Sequence, residues 1–211
     1  MKPQSTKEHP ANNALLKSRT RHTRIFCFML IPLLAVTAPR WPENSPTHEI
    51  MEFWGHLFVS GGVLIRILSS VYIGGRKNES LITEGPFSVV RNPLYFGSFL
   101  AMTGVALTTG SLTFLAVMIV AFCLYYRVTV KREEAHLEAK FGARYRNYAA
   151  RVPSWLPEPL LWEEPREIKT RPPFVRLAVM DASVFLLVVP LLEVLCELRE
   201  NGVLPVFLTL P

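Results

Sequence analysis

The sequence predicts an all-α fold, an integral membrane helical bundle of about five transmembrane helices with a polar helical segment after a membrane hairpin. Three observations predict it. Half of the 211 residues are hydrophobic and only 19% are charged, an apolar balance for a chain of this length. The apolar residues gather in runs that span a bilayer or nearly so. The basic residues cluster between those runs in a way that assigns the runs' ends to opposite faces of a membrane.

Residues 1–24 form a polar tail carrying Lys2, Lys7, Lys17, Arg19, Arg21 and Arg24. Ile25 to Ala38 is then an almost unbroken apolar run. Two readings stay open for it: a short first membrane helix interrupted by Pro32, or a signal peptide ending at Val36-Thr37-Ala38, with Pro39 weighing against cleavage. Either reading leaves the tail in the cytoplasm. Arg40 to Glu49 is a Pro-rich loop on the far side, and Ile50 to Ile73 is long enough to cross. Within it Ser60-Gly61-Gly62 lets a neighbouring helix approach closely, and Arg66 either snorkels to the interface or faces the interior. His56 reads as a packed or interfacial histidine, with no second ligand at helical spacing. Cys27, Cys123 and Cys196 show neither paired nor ligand-like spacing and read as buried, inert thiols. No metal site is expected.

Pro93 to Leu107 and Leu112 to Tyr126 are apolar segments of 15 residues each, separated by the turn Thr108-Thr109-Gly110-Ser111. Each is about 22 Å long as a helix. Together they form a tight hairpin, with Gly97, Ala101 and Gly104 as a packing stripe. The hairpin returns the chain at Tyr126 to the face on which Arg91 lies. Arg127 to Tyr148 is charged and reads as a helix leaving the membrane, a turn at Gly142 and a short helix carrying Tyr145 and Tyr148. Residues 151–173 form a connector whose Trp155 and Trp162 suit the headgroup level. Phe174 to Leu195, with Asp181, Pro190 and Glu193 in or near it, is a fifth membrane helix or a segment lying in the interface. The chain thus divides into a tail (1–24), two membrane helices (25–73), a core (74–157) and a connector with a C-terminal apolar helix (158–211). Six basic residues in the tail, three in the loop from Gly74 to Asn92 and eleven from Arg127 to Arg176 make 20 of the 23. The positive-inside rule then places the tail, Arg91 and the charged helices in the cytoplasm. It also accounts for the net charge of +6 without a nucleic-acid partner.

The stretch from Glu84 to Gly97 organises the rest. It is a polar turn ending in Arg91, then a helix start with Asn92 as cap and Pro93 at the first helical position. Such a start points free N–H donors and the positive end of the helix dipole at what lies before it, and Arg91 adds a full charge. Glu133 and Glu134, one hairpin away on the same face, offer sites for a cation. A small zwitterion suits the pair. The amino-acid end of S-adenosylmethionine is such a group, and its sulfonium would welcome an aromatic face such as Tyr95 or Phe96.

Several motifs stand in a fixed order: Gly85-Pro86-Phe87, Arg91-Asn92-Pro93-Leu94-Tyr95-Phe96-Gly97, Glu133-Glu134, Phe141-Gly142 with Tyr145 and Tyr148, then Val152-Pro153 and Leu156-Pro157. This ordered set, covering roughly residues 74–157, resembles the isoprenylcysteine carboxyl methyltransferase and phospholipid methyltransferase family. The resemblance implies an integral membrane enzyme that binds S-adenosylmethionine at the cytosolic face and methylates a lipophilic acceptor, a carboxylate of an isoprenylcysteine-like substrate or a lipid amine. It implies Arg91, Asn92, Pro93 and Tyr95 as cofactor-binding residues. Glu133 and Glu134 hold the cofactor's amino group or lie beside the reacting centre, and Arg66, if inward, steadies an anionic acceptor. Many family members have His where this chain has Asn92, which cannot carry a proton. An NADPH-dependent sterol-type reductase and a non-catalytic membrane scaffold are the competing readings.

Overall fold

The computed structural model describes residues 37–39, 45–74, 79–168, 170, 172–203 and 208–210. Helix α1 (Pro46–Ile73) starts where Ser45 accepts a hydrogen bond from the His48 N–H at 3.3 Å and Pro46 takes a position that has no N–H to lose. It stops at Gly74, whose left-handed φ of 50° lets its N–H reach the Ser70 carbonyl. A one-turn helix α2 (Pro86–Val89) precedes α3 (Pro93–Thr108). The Thr109–Ser111 turn follows, with Gly110 at φ 68°, and Ser111 caps α4 (Leu112–Phe141) by accepting from the Phe114 N–H. Gly142 breaks the chain before α5 (Ala143–Arg151), and a single 3-10 turn (Pro159–Leu161) leads to α6 (Pro172–Glu200). Thr37–Pro39 (β1) pairs in parallel with Leu208–Leu210 (β2), a three-residue addition to an otherwise helical structure.

Helices α1, α4 and α6 (as far as Leu198) are long and apolar enough to cross a membrane, and α3 is a shorter apolar helix. The segment read as either spanning or interfacial is therefore of spanning length. Most of the expected first run, residues 25–36, lies outside the described residues, so four of the five anticipated segments are seen as helices. The charged stretch after Tyr126 is helical, as expected, and continues α4 unbroken through Phe141, with the turn at Gly142 and α5 carrying Tyr145 and Tyr148 after it. One expectation fails at Cys123, which is exposed on α4 rather than buried. The apolar surface of a membrane helix faces lipid, so burial in protein does not follow from hydrophobicity there.

α1 and α3 lie antiparallel at very close range. A Cβ at Gly62 would stand 2.5 Å from both Gly97 O and Ala101 N, and one at Gly104 would stand 2.5 Å from Gly55 O. Two backbones in contact need residues without side chains, and the stripe Gly97, Ala101, Gly104 meets Gly55 and Gly62. α6 runs antiparallel along α1 through Val59, Val63, Ala182, Val189 and Leu192, which with Val105 of α3 form one core. α4 closes the other side of α3 through Phe114, Met118 and Ala106.

Gly62→Val should lower the thermal unfolding midpoint of the detergent-solubilised protein, at a cost of about 1–3 kcal/mol from overpacking. Gly61→Ala, whose Cβ would stand 3.4 Å from the end of Leu100, should leave it unchanged. Equal behaviour of the two variants would argue against a close backbone seam.

Candidate functional site

Arg91 is held from several sides before any ligand is considered. Its N–H donates to the Pro153 carbonyl at 2.9 Å, and Glu158 N–H donates to Val89 O at 3.0 Å, so the segment after α5 lies along residues 89–91. Gly85 N–H donates to Glu163 O at 2.8 Å, and Ser88 Oγ accepts from Glu163 N–H at 2.9 Å. Tyr148 Oη donates to the Phe87 carbonyl at 2.7 Å. Gly85 adopts φ 60°, and a Cβ there would collide with the Tyr72 ring. The Gly85-Pro86-Phe87, Tyr148 and Val152-Pro153 motifs thus serve one purpose: they fix the backbone that presents Arg91.

The hairpin supplies the other half. Glu134 Oε1 lies 3.4 Å from Arg91 Nε, accepts from Asn92 Nδ2 at 3.2 Å and accepts from Ser154 Oγ at 3.0 Å. Glu133 Oε2 accepts from Tyr95 Oη at 2.9 Å. Arg91, Asn92, Tyr95, Glu133 and Glu134 are therefore brought together, with Pro93 fully buried beneath them. The Arg91 and Glu134 side chains are 18% and 23% exposed, enough shielding for the pair to attract more strongly than two surface charges.

Asn92 corrects one expectation. It occupies the N-cap position, but its side chain makes no cap hydrogen bond. Its backbone carbonyl accepts from Tyr95 and Phe96 N–H to open α3, while Nδ2 also reaches the Ser154 carbonyl at 3.3 Å. A bond to an ionised carboxylate is stronger than one between neutral groups, and the amide follows the carboxylate. Trp155 packs on Tyr126 at 4.3 Å, Phe99 at 5.1 Å and Phe122 at 5.8 Å between ring centroids. Tyr95 joins this aromatic cluster edge-on to Tyr126, and Phe96 edge-on to Trp155. Ser154, Trp155 and Tyr126 were not legible as site residues; the signal available was their place within or facing the Val152 to Pro157 motif.

A cavity of about 470 Å³ opens beside the cluster, lined by Arg91, Lys131, Glu134, Glu138, Tyr145 and Arg146. Such a volume lies within the range of small-molecule sites, about 300–1,000 Å³. Two of its lining residues hold buried donors that close no hydrogen bond: Tyr145 Oη, and Arg91 Nε, whose contact with Glu134 at 3.4 Å is an ion pair. Unmet buried donors are costly unless a ligand completes them. Burial, followed by the negative charge of Glu134, pushes the Tyr145 phenol up to about 12, so it stays a neutral donor.

Arg66 stands apart. It donates to Ser98 Oγ and pairs with Asp181 between α1, α3 and α6, with its guanidinium over the Phe185 ring at 5.4 Å. It neither snorkels free nor joins the Arg91 cluster. His56 also departs from expectation, because Glu52 stands one turn before it and Glu193 of α6 faces it. The ligand atoms of the three all lie within 4.8 Å of one another.

Comparison with known proteins places these residues in context. Residues 66–144 match the family model described as Phospholipid methyltransferase. The chain is 33% identical over 155 residues to the cobalt-zinc-cadmium resistance protein CzcN of Cupriavidus metallidurans, covering 71% of each chain. It is 30% identical over 81 residues to the protein-S-isoprenylcysteine O-methyltransferase of Schizosaccharomyces pombe, covering 38% of this chain and 34% of that one. It is 30% identical over 125 residues to the phosphatidyl-N-methylethanolamine N-methyltransferase of Emericella nidulans, covering 49% and 60%. No solved structure matches.

The raised phenol of Tyr145 fixes a sign. Its protonated form is favoured by the fold, so its contribution to stability is fully present below about pH 10 and is lost as pH rises towards about 12. Thermal unfolding followed across that window should show a shallower alkaline fall for Tyr145→Phe than for the wild type. Superimposable falls would sink the assignment.

Proposed function

Because the chain belongs to the phospholipid methyltransferase family and is an integral membrane methyltransferase, we propose that it moves a methyl group from S-adenosylmethionine to a lipophilic acceptor at the cytosolic face. The observation that carries this reading is the joining of Arg91, Asn92 and Tyr95, at the start of α3, to Glu133 and Glu134 on α4 beside a cavity with two unmet donors. Arg91 Nε and Tyr145 Oη suit a carboxylate. Glu134 and Glu133 suit an ammonium group. The rings of Tyr95, Phe96, Tyr126 and Trp155 suit a sulfonium. Placement of 20 of the 23 basic residues at one face supports a cytosolic site.

The bound donor supplies an already activated methyl carbon. The chain's own residues then have to bind, orient and exclude water, the tasks that dominate an in-line displacement. Glu134, tied by Arg91, Asn92 and Ser154, fixes the position of the Arg91 guanidinium. A carboxylate or thiolate acceptor needs no base once ionised. An amine acceptor must lose a proton, and Glu133, bonded to Tyr95, is the group placed to take it. Arg66, neutralised by Asp181, is in this reading a positioning residue that holds α6 to α1 and α3.

Calorimetry on the purified protein should detect S-adenosylmethionine binding that weakens about tenfold or more, roughly 1.4 kcal/mol, in Arg91→Ala and Glu134→Gln. Binding of NADPH alone would favour a reductase, and binding of neither a scaffold. Transfer from labelled S-adenosylmethionine to a membrane lipid extract should then reveal the acceptor class. The extract should come from cells grown with and without added zinc, because one relative is named for resistance to that metal. No labelled lipid, prenylcysteine or thiol fraction would refute the acceptor assignment. Arg66→Gln should reduce the yield of folded protein and leave donor affinity unchanged.

A further inference from the structure

The end of the bundle opposite the Arg91 cluster holds a second group of chemistry-bearing residues. α3 carries the chain about 22 Å from Pro93 to Thr108, and Gly55 packs against Gly104 and Thr108 at its far end. His56 therefore lies a full helix length from the methyl-transfer site. Beside it are Glu52, one turn earlier on α1, and Glu193 on the antiparallel α6.

Four features of this group point in one direction. His56 Nδ1 lies 2.9 Å from the Glu52 backbone carbonyl. A carbonyl can only accept, so Nδ1 carries the proton and the lone pair of the neutral ring belongs to Nε2. A backbone or carboxylate partner on the second ring nitrogen is the usual way in which a metal-binding imidazole is oriented. Nε2 stands 3.4 Å from Glu193 Oε1. Two ligand atoms each about 2.1 Å from a tetrahedrally held ion stand roughly 3.4 Å apart, so a cation fits between them with little movement.

The third feature is charge. Two carboxylates and an imidazole lone pair converge within 4.8 Å, and among the described residues no Arg or Lys forms an ion pair with either carboxylate. Like charges so placed repel unless a cation joins them. The fourth is depth. Trp54, 47% exposed, lies beside the group and is a residue of the type that settles at a membrane-water boundary. His56 and Glu193 are themselves 47% and 55% exposed, so an ion can reach them.

We propose that Glu52, His56 and Glu193 form a binding site for a divalent transition-metal ion, of the zinc and cobalt class, that clasps α1 to α6 at the end remote from the methyl-transfer site. One nitrogen and two carboxylate oxygens favour such an ion over calcium or magnesium, which take oxygen ligands in larger number. Three protein ligands leave a fourth position open to water or to another group.

The test uses the full chain in detergent, titrated with Co²⁺ and read by visible absorption, and with Zn²⁺ by calorimetry. The wild type should bind one ion per chain with a tetrahedral Co²⁺ spectrum. His56→Ala and Glu193→Gln should each weaken binding by about tenfold or more, while Glu49→Gln, on the same helix outside the group, should retain it. Helical circular dichroism of each variant separates a lost site from a lost fold. A wild type that binds neither ion overturns the proposal, as does binding that survives both substitutions in folded protein.

Discussion

The contact between the α1 and α3 backbones at Gly55, Gly62, Gly97 and Gly104 is the constraint on which the rest of the structure depends. Lipid offers no hydrophobic drive for helices to associate, so close packing and polar contacts must hold them. The seam sets where α3 lies, and α3 in turn carries both the Asn92-Pro93 start and the wall on which α4 packs. α6 completes the arrangement by lying along the same side of α1 through Val59 and Val63. Arg66 reinforces that junction with bonds to Ser98 and Asp181, which satisfies an ionised residue in a span where solvation is poor.

At the polar end, Glu134 is the point where distant parts of the chain meet. Arg91 and Asn92 come from before the hairpin, Glu134 from its second helix and Ser154 from beyond α5. Each of these groups has its charge or hydrogen bonds met by the others, Arg91 Nε through the Glu134 carboxylate at 3.4 Å, while the nearby Tyr145 hydroxyl closes no hydrogen bond. In the proposed reading, a site held together in this way meets its cost of ordering before the ligand arrives. The aromatic cluster around Trp155 adjoins this group through Tyr95, which bonds Glu133, and Tyr126, which donates to the Ser154 carbonyl.

The two ends of the bundle also differ in how they were built. The Arg91 end uses four segments and a dense set of backbone bonds from the connector, so it is rigid. The end with His56 uses only α1 and α6, with side chains that are half exposed. Rigid presentation suits chemistry that depends on alignment, and an open pair of helices suits an ion that must enter from water.

Much of this was legible in the sequence for identifiable reasons. Long apolar runs leave a helix as the form that satisfies its backbone in lipid, so the helices and the hairpin followed from composition. Small residues at helical spacing foretold a packing seam, and the hairpin foretold that Arg91 and Glu134 share a face. What the sequence could not determine was which partner each side chain would choose. The amide of Asn92 turned from the helix start to a carboxylate 42 residues away, and Trp155 found its ring partners on α3 and α4. Glu193 came beside His56 only because α6 runs antiparallel to α1. Helical periodicity is local and is written in the order of residues. The pairing of polar groups depends on distances between segments, and those exist only after the helices have packed.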